Sequence, residues 1–365
     1  MELPSTQNTH KVLLSTAIED TVKFKCAANA KSTNTNFTNK AKQLIKWFGH
    51  YSVADMTSRD VLEIRCFLID NYVPKTMNHY SDILRATFER LKKDSVIEID
   101  FTPEVKTLRT ITQKQPTYLL SQIKPLLVHD EAYETEILLL RFALLTGLRI
   151  GELLAISVEA YNKADGEFNV EITLSGDEYK TPKSILSKRP VFLDEQGILT
   201  LERLIFLAGD RPAKLVDVTL EDNRTIQRQS RTFLAFSTFD GRLFKDTNDF
   251  RNNFYIDHCI ARDVDYLPPK NLRNTYASQL LTKGVPIAWI AQQMGHTNKE
   301  MVEKYYGSWL KVDGKETTDK VNEHFCEYFD SSNTEAANDE VFIKQDELKT
   351  SWFRNLFNKI FSKAA

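Results

Sequence analysis

Apolar positions in the first hundred residues recur at helical spacing. In FTNKAKQLIKWFG, Phe37, Ala41, Leu44, Ile45 and Phe48 share one face. Thr57 or Ser58 can cap SRDVLEIRCFLID, whose apolar stripe is Val61, Ile64, Phe67 and Leu68. In PKTMNHYSDILRATFERLKKDSVI, Met77, Tyr80, Leu84, Phe88 and Leu91 repeat the pattern. Stripes of this kind build a core, so residues 21–105 read as a small helical domain. Residues 1–20 have little pattern and read as a short arm.

The stretch DFTPEVKTLRTITQKQPTYL mixes Pro, Thr and basic residues without a period, and residues 106–120 read as an extended linker. A larger domain follows over 121–310. ETEILLLRFALLTG is a strongly apolar helix closed by Gly147. EFNVEITLSGD alternates Phe168, Val170, Ile172 and Leu174 as a strand does, with RPVFLD as its antiparallel partner. Helical segments resume near 246–262, 270–282, 286–294 and 298–309. The predicted fold is mainly α with a small antiparallel β-sheet, an α+β chain. In the tail, 311–365, TTDKVNEHFCEYF aligns Val321, Phe325, Tyr328 and Phe329. SWFRNLFNKIFSKAA is an amphipathic basic helix, suited to packing on its own domain or on a neighbouring subunit, to a membrane surface, or to docking a partner or DNA.

Composition narrows the class. The chain of 365 residues is 42% hydrophobic and 27% charged, suited to two or three globular domains. No apolar run of about 18 residues predicts a membrane span. The four cysteines form no CxxC pair, and the N-terminus lacks the basic-then-apolar order of a secretory signal, which points to a reducing, cytoplasmic setting. A net charge of −2 argues against a nucleic-acid partner until its distribution is considered. Thr21–Ala54 carries Lys23, Lys25, Lys31, Lys40, Lys42 and Lys46 and no acid, whereas Lys311–Glu347 is strongly acidic. A lysine-rich stretch is equally a solvated face, so charge permits DNA binding without showing it.

Four segments of the second domain carry the candidate chemistry: LLTGLRIGELLAI, YKTPKSILSKRPVFL, LPPKNLRNTYAS and IAQQMGHTNKEMVEKYYGSWL. Each alone has a plain structural explanation, as a helix cap, a restart or a core stripe. In this order and spacing, over about 110–310, they resemble the tyrosine recombinase/phage integrase family. The helical region before them is similar to that family's core-binding domain.

The resemblance implies an enzyme whose tyrosine attacks a DNA phosphodiester, forming a 3′-phosphotyrosyl bond and freeing a 5′-hydroxyl. Bond energy is conserved, so neither ATP, a metal nor any cofactor is implied. Two guanidiniums are suited to the extra negative charge of the transition state, and Arg149 and Arg273 match the family's pair. Glu152 can brace the site or lie on a helix surface. The family's proton-donating lysine is followed by Ser at +4, Arg at +6 and Val two further on. Lys183, Ser187, Arg189 and Val191 fit that pattern, while Lys180 does not. The second box, usually His-x-x-Arg-His-Thr, reads Lys270-x-x-Arg273-Asn274-Thr275 here. Lys270 is implied as a phosphate ligand or acid/base partner; with an ordinary pKa of about 10.4 it is a poorer base than histidine. His296 matches the histidine that binds the scissile phosphate. Tyr306 is the implied nucleophile and Tyr305 the second choice, since adjacent helical residues point about 100° apart.

The resemblance further implies double-stranded DNA as partner, contacted by the six lysines above with Arg85, Lys92 and Lys93. It implies a monomer or weak oligomer without DNA, a homo-tetramer on paired sites and a possible accessory DNA-bending protein. Alternatives are a topoisomerase-like or telomere-resolving strand transferase, and a DNA-binding regulator that kept the fold but no longer cuts.

Overall fold

The computed structural model describes residues 12–26, 31–111, 115–182, 187–296 and 302. The helical domain is built from α1 (Leu14–Cys26), α2 (Lys31–Phe48), α3 (Ser58–Asn71) and α4 (Pro74–Lys93). The three stripes read from the sequence supply its core, with Leu44, Leu68, Met77 and Phe88 fully buried. One boundary is corrected. Residues 14–20 are not an arm but the first half of α1, whose Leu14 and Ile18 join the same core. Their pattern is short, and helix α1 gains its stability by packing against α2 and α4. At α3, Thr57 is the cap: its hydroxyl accepts from the Asp60 amide, and the Asp60 carboxylate accepts from the Thr57 amide at 2.8 Å.

The stretch after α4 is extended but not loose. Asn78 accepts from the Leu108 amide at 2.7 Å and donates to its carbonyl at 2.8 Å, while Arg85 donates to the Val105 carbonyl at 2.9 Å. Downstream, Tyr118 is fully buried and opens the core of the second domain.

That core is surrounded by α5 (Leu120–Leu126), α6 (Glu134–Thr146), α7 (Ile150–Leu153) and two sheets. The strands are β1 (Tyr161–Asn162), β2 (Glu167–Val170), β3 (Thr173–Ser175), β4 (Glu178–Lys180) and β5 (Arg189–Phe192). Next come α8 (Glu195–Ala208), β6 (Lys214–Thr219) and β7 (Ile226–Arg231). The expected pairing of β2 with β5 is present, antiparallel, with Phe168 opposite Val191. The single strand expected over 167–177 is instead two, broken after Val170. Strand β2 lies in a three-stranded antiparallel sheet β1-β2-β5, and β3 opens a four-stranded sheet β3-β4-β6-β7. Its β4–β6 pair is parallel, so the sheet structure is not purely antiparallel. Helix α8 and the β6–β7 hairpin were not anticipated; β7 is largely exposed and polar, which hides its alternation.

The chain continues through α9 (Thr247–Phe250), a π turn at Arg251–Tyr255 and α10 (Ile256–Ala261) to α11 (Lys270–Thr282) and α12 (Ile287–Met294). Helix α11 packs on α6. The helix expected over 298–309 and both tail helices lie outside the described residues, apart from the buried Val302. No helix among the described residues is long and apolar enough to cross a membrane.

Replacing Thr57 with alanine removes a capping hydroxyl and should lower stability by about 1 kcal/mol in urea unfolding.

Candidate active site

The segment Gly147–Arg149 is a turn between α6 and α7. Gly147 ends α6 with a left-handed φ of +63°, and a side chain there would put its Cβ 2.3 Å from the Tyr276 ring. Arg149 then caps α7. Glu152, three residues on, accepts from the Arg149 amide at 3.0 Å and from its Nη1 at 2.7 Å. An acid at this position of a helix normally reaches back to the cap. Here the same carboxylate also catches the capping residue's side chain, which accounts for the Arg-x-x-Glu spacing. Gly151 sits against β3, where a Cβ would fall 2.4 Å from the Leu174 carbonyl oxygen. Glu152 is therefore a buried brace rather than a helix-surface residue, while the Arg149 side chain remains 41% exposed.

Arg273 lies on α11, buried, about 120 residues later. Its Nη1 donates to the Gly147 carbonyl at 2.7 Å, and its Nη2 reaches the Met294 carbonyl and, at 3.0 Å, His296 Nε2. The carbonyl freed by the glycine cap of α6 is thus the acceptor that fixes this arginine. His296 is set by a second glycine cap. Gly295 ends α12 at φ +63°, its amide bonded to the Gln292 carbonyl and the His296 amide to the Ala291 carbonyl, a Schellman arrangement. Guanidinium groups only donate, so His296 Nε2 accepts in this contact and the neutral ring carries its proton on Nδ1.

Burial pushes the His296 imidazole down to a pKa of about 4, helped by the charges of Arg273, Arg149 and Arg189. Burial alone would raise the Glu152 carboxyl, but Arg189, Arg149 and Arg273 outweigh it and hold it below the ordinary range. The site is thus one ionised carboxylate among three guanidiniums, with a neutral imidazole. Such an excess of fixed positive charge is suited to an anion.

Arg149, Glu152, Arg273 and His296 are therefore brought together. Lys270 opens α11 and is exposed, three residues before Arg273. Asn274, in place of a histidine, is buried on the same helix. Lys183, Tyr305 and Tyr306 lie outside the described residues. The other two lysines of YKTPKSILSKRPVFL each meet a carboxylate at 3.0 Å, Lys180 with Glu178 and Lys188 with Glu221. In the sequence Arg189 stands out only as a position of the lysine pattern. It is buried against Glu152, and the signal for it was its place at the start of an alternating strand, where a charge in the inward register demands a partner.

In the helical domain, Lys25, Lys40 and Arg85 line one cleft of about 720 Å³ together with His79. Lys40 lies over the Tyr80 ring and Lys25 over the Phe37 ring. Lys42, Lys46 and Lys93 are exposed, and Lys23 pairs with Asp20 at 3.2 Å. Arg85 and Lys92 also hold local chain, Lys92 donating to the Glu98 carbonyl at 2.6 Å. The Lys31 side chain is outside the described residues.

The fold is thus a helical part followed by a mixed part whose arginine-rich, carboxylate-braced site is suited to an anion. The sequence pattern of the phage integrase family matches residues 109–309, and the chain belongs to that family. Prophage integrase IntR of Escherichia coli K12 is 29% identical over 176 residues, 47% of this chain and 42% of IntR, so the chain spans less than half of that relative. Tyrosine recombinase XerD of Vibrio vulnificus YJ016 is 23% identical over 291 residues, 76% of this chain and 85% of XerD. The fold is also that of the Tn1549 transposon integrase, solved in complex with a circular-intermediate DNA. That likeness has a TM-score of 0.65 at 16% identity and covers 85% of this chain and 99% of that one.

Gly147→Ala forces a left-handed backbone and a clash with Tyr276, and should cost about 1–3 kcal/mol in urea unfolding. His296 should also leave a signature in pH. The unfolded imidazole takes its proton near 6.5 and the folded one only near 4. Stability from this group is therefore complete above 6.5 and lost as pH falls towards 4. The melting-temperature difference between wild type and His296→Asn should shrink across that window.

Proposed function

We propose that the protein is a site-specific DNA recombinase that cuts and rejoins duplex DNA through a 3′-phosphotyrosyl intermediate. The observation that carries this reading is the convergence of Arg149, Arg273 and His296, from three separated segments, around the buried Glu152, in a chain of the phage integrase family.

In this reading Tyr306, or Tyr305 in its place, attacks the scissile phosphate. Arg149 and Arg273 neutralise the charge that grows on the non-bridging oxygens. Because both guanidiniums are fixed before DNA arrives, little reorganisation is needed during the reaction. His296, held neutral, offers a hydrogen bond without adding a mobile charge. Lys183 gives the departing 5′-oxygen its proton, and Lys270 holds a phosphate oxygen or exchanges the tyrosine's proton. Every bond broken is replaced by one of equal kind, so the cycle uses neither ATP nor a metal ion.

The helical domain supplies the other half of a clamp around the duplex, with Lys23, Lys25, Lys31, Lys40, Lys42, Lys46, Arg85, Lys92 and Lys93 towards the backbone. Exchange between two sites breaks four strands, and one nucleophile per protomer then requires four protomers. Strands pass in pairs through a Holliday junction. The element served is mobile DNA, integrated or excised, with an accessory DNA-bending protein where the two sites must be brought together.

The test is a detergent-resistant adduct on nicked DNA carrying the junctions that flank the gene, formed in the presence of a chelator. Wild type should give the adduct and Tyr306→Phe should abolish it. Loss with Tyr305→Phe alone would move the nucleophile by one residue. Tight binding without any adduct would mean a DNA-binding protein that no longer cuts.

A further inference from the structure

Arg189 takes no part in the chemistry just described, yet its guanidinium is held by Glu152, Ser187 and Gln293 together. It opens β5, and only 4% of its side chain is exposed. Its Nη2 donates to Glu152 Oε2 at 3.0 Å and its Nη1 to Glu152 Oε1 at 3.4 Å, a forked pair with the carboxylate that holds Arg149. Nη1 also donates to the Ser187 carbonyl at 3.0 Å. Nε donates to the Gln293 carbonyl in the last turn of α12.

Two further observations fix this geometry. A Cβ on Gly295 would lie 2.9 Å from Arg189 Cδ and Nη1, so the arginine lies against the bare glycine that precedes His296. The Gln293 side chain returns to the same strand, its Oε1 accepting from the Phe192 amide at 3.1 Å. Strand β5 is thus tied both to the carboxylate behind Arg149 and to the turn that presents His296.

The geometry points to Arg189 as a positioning residue: it sets the separation between Arg149 on one side of the site and the Arg273–His296 pair on the other. This rests on the strand-transfer reading above. Buried as it is, Arg189 acts through Glu152 and the Gln293–Gly295 backbone rather than on the phosphate. Its planar fork and separate Nε bond are what a lysine cannot supply, because an ammonium is a point charge on a flexible stem. Without the fork, Glu152 is shared with Arg149 alone and the α12 cap loses its lateral tie. A displacement of about 1 Å in such a site costs about 100-fold in rate.

The experiment is single-turnover adduct formation on nicked junction DNA, comparing wild type with Arg189→Lys and Arg189→Gln, alongside melting curves and DNA affinity. For Arg189→Lys the rate constant should fall about 100-fold, while end-point adduct yield and DNA affinity stay within about threefold. A residue that only stabilised the fold would instead lower the end-point yield and leave the rate constant of the folded fraction unchanged. In Arg189→Gln, Glu152 loses its main cationic partner, so the rate should rise with pH where the wild type is flat. Glu152→Gln combined with Arg189→Gln should abolish that rise. If Arg189→Gln does not fold, the Arg189→Lys rate decides alone. An unchanged rate constant in Arg189→Lys, with active wild type, overturns the inference and leaves the strand-transfer reading standing. No adduct with wild type overturns both.

Discussion

The site depends on one buried carboxylate shared by two guanidiniums. Glu152 accepts from Arg149 and Arg189 at once, with Arg273 close enough to add its charge. Three cations gathered in one place repel one another, and a carboxylate taken from water is costly unless paired and hydrogen-bonded. Each half of the arrangement makes the other tolerable. What remains is a fixed surplus of positive charge, with Arg149 still open to solvent. Such a fixed surplus of positive charge is suited to an anion.

Backbone geometry delivers these charges. Gly147 and Gly295 each close a helix in the left-handed region, and each frees or turns a polar group used by the site. Gly147 offers its carbonyl to Arg273 and makes room for Tyr276, while Gly295 turns the chain so that His296 faces the same guanidinium. The N-terminal turns contribute as well. The end of the linker is stitched to α11, with the Tyr118 amide donating to Thr275 Oγ1 at 3.0 Å and Asn271 Nδ2 donating to the Pro116 carbonyl at 2.7 Å. The helix bearing Arg273 is thereby held from both sides, by α6 and by the linker.

Much of this was legible because it is local. The stripe Met77–Leu91 and a cap at Thr57 or Ser58 follow from helical spacing and hydrogen-bonding chemistry within a few residues, and the structure chooses Thr57. The pairing of β2 with β5 also followed from alternation. The break after Val170 did not, because Phe168, Val170, Ile172 and Leu174 alternate without interruption although they serve two sheets. Helix α1 was hidden since its apolar positions are few and gain meaning only against α2 and α4. Strand β7 is largely exposed and polar, so it gives no period to read, and the alternation of its partner β6 is short, with only Val216 and Val218 buried.

For the site, the sequence by itself determined which residue types are present and in what order: an Arg-x-x-Glu after a glycine, a lysine-rich segment before an Arg-x-Val strand, a Lys-x-x-Arg box and a Gly-His cap. These are properties of short segments. Only the tertiary structure decided that Glu152 faces inwards, that Arg189 is its second partner and that the Gly147 carbonyl is Arg273's acceptor. Those contacts join residues 37 to 126 positions apart. Local pattern cannot encode them, because a carboxylate's partner is chosen by which strands and helices the core brings together.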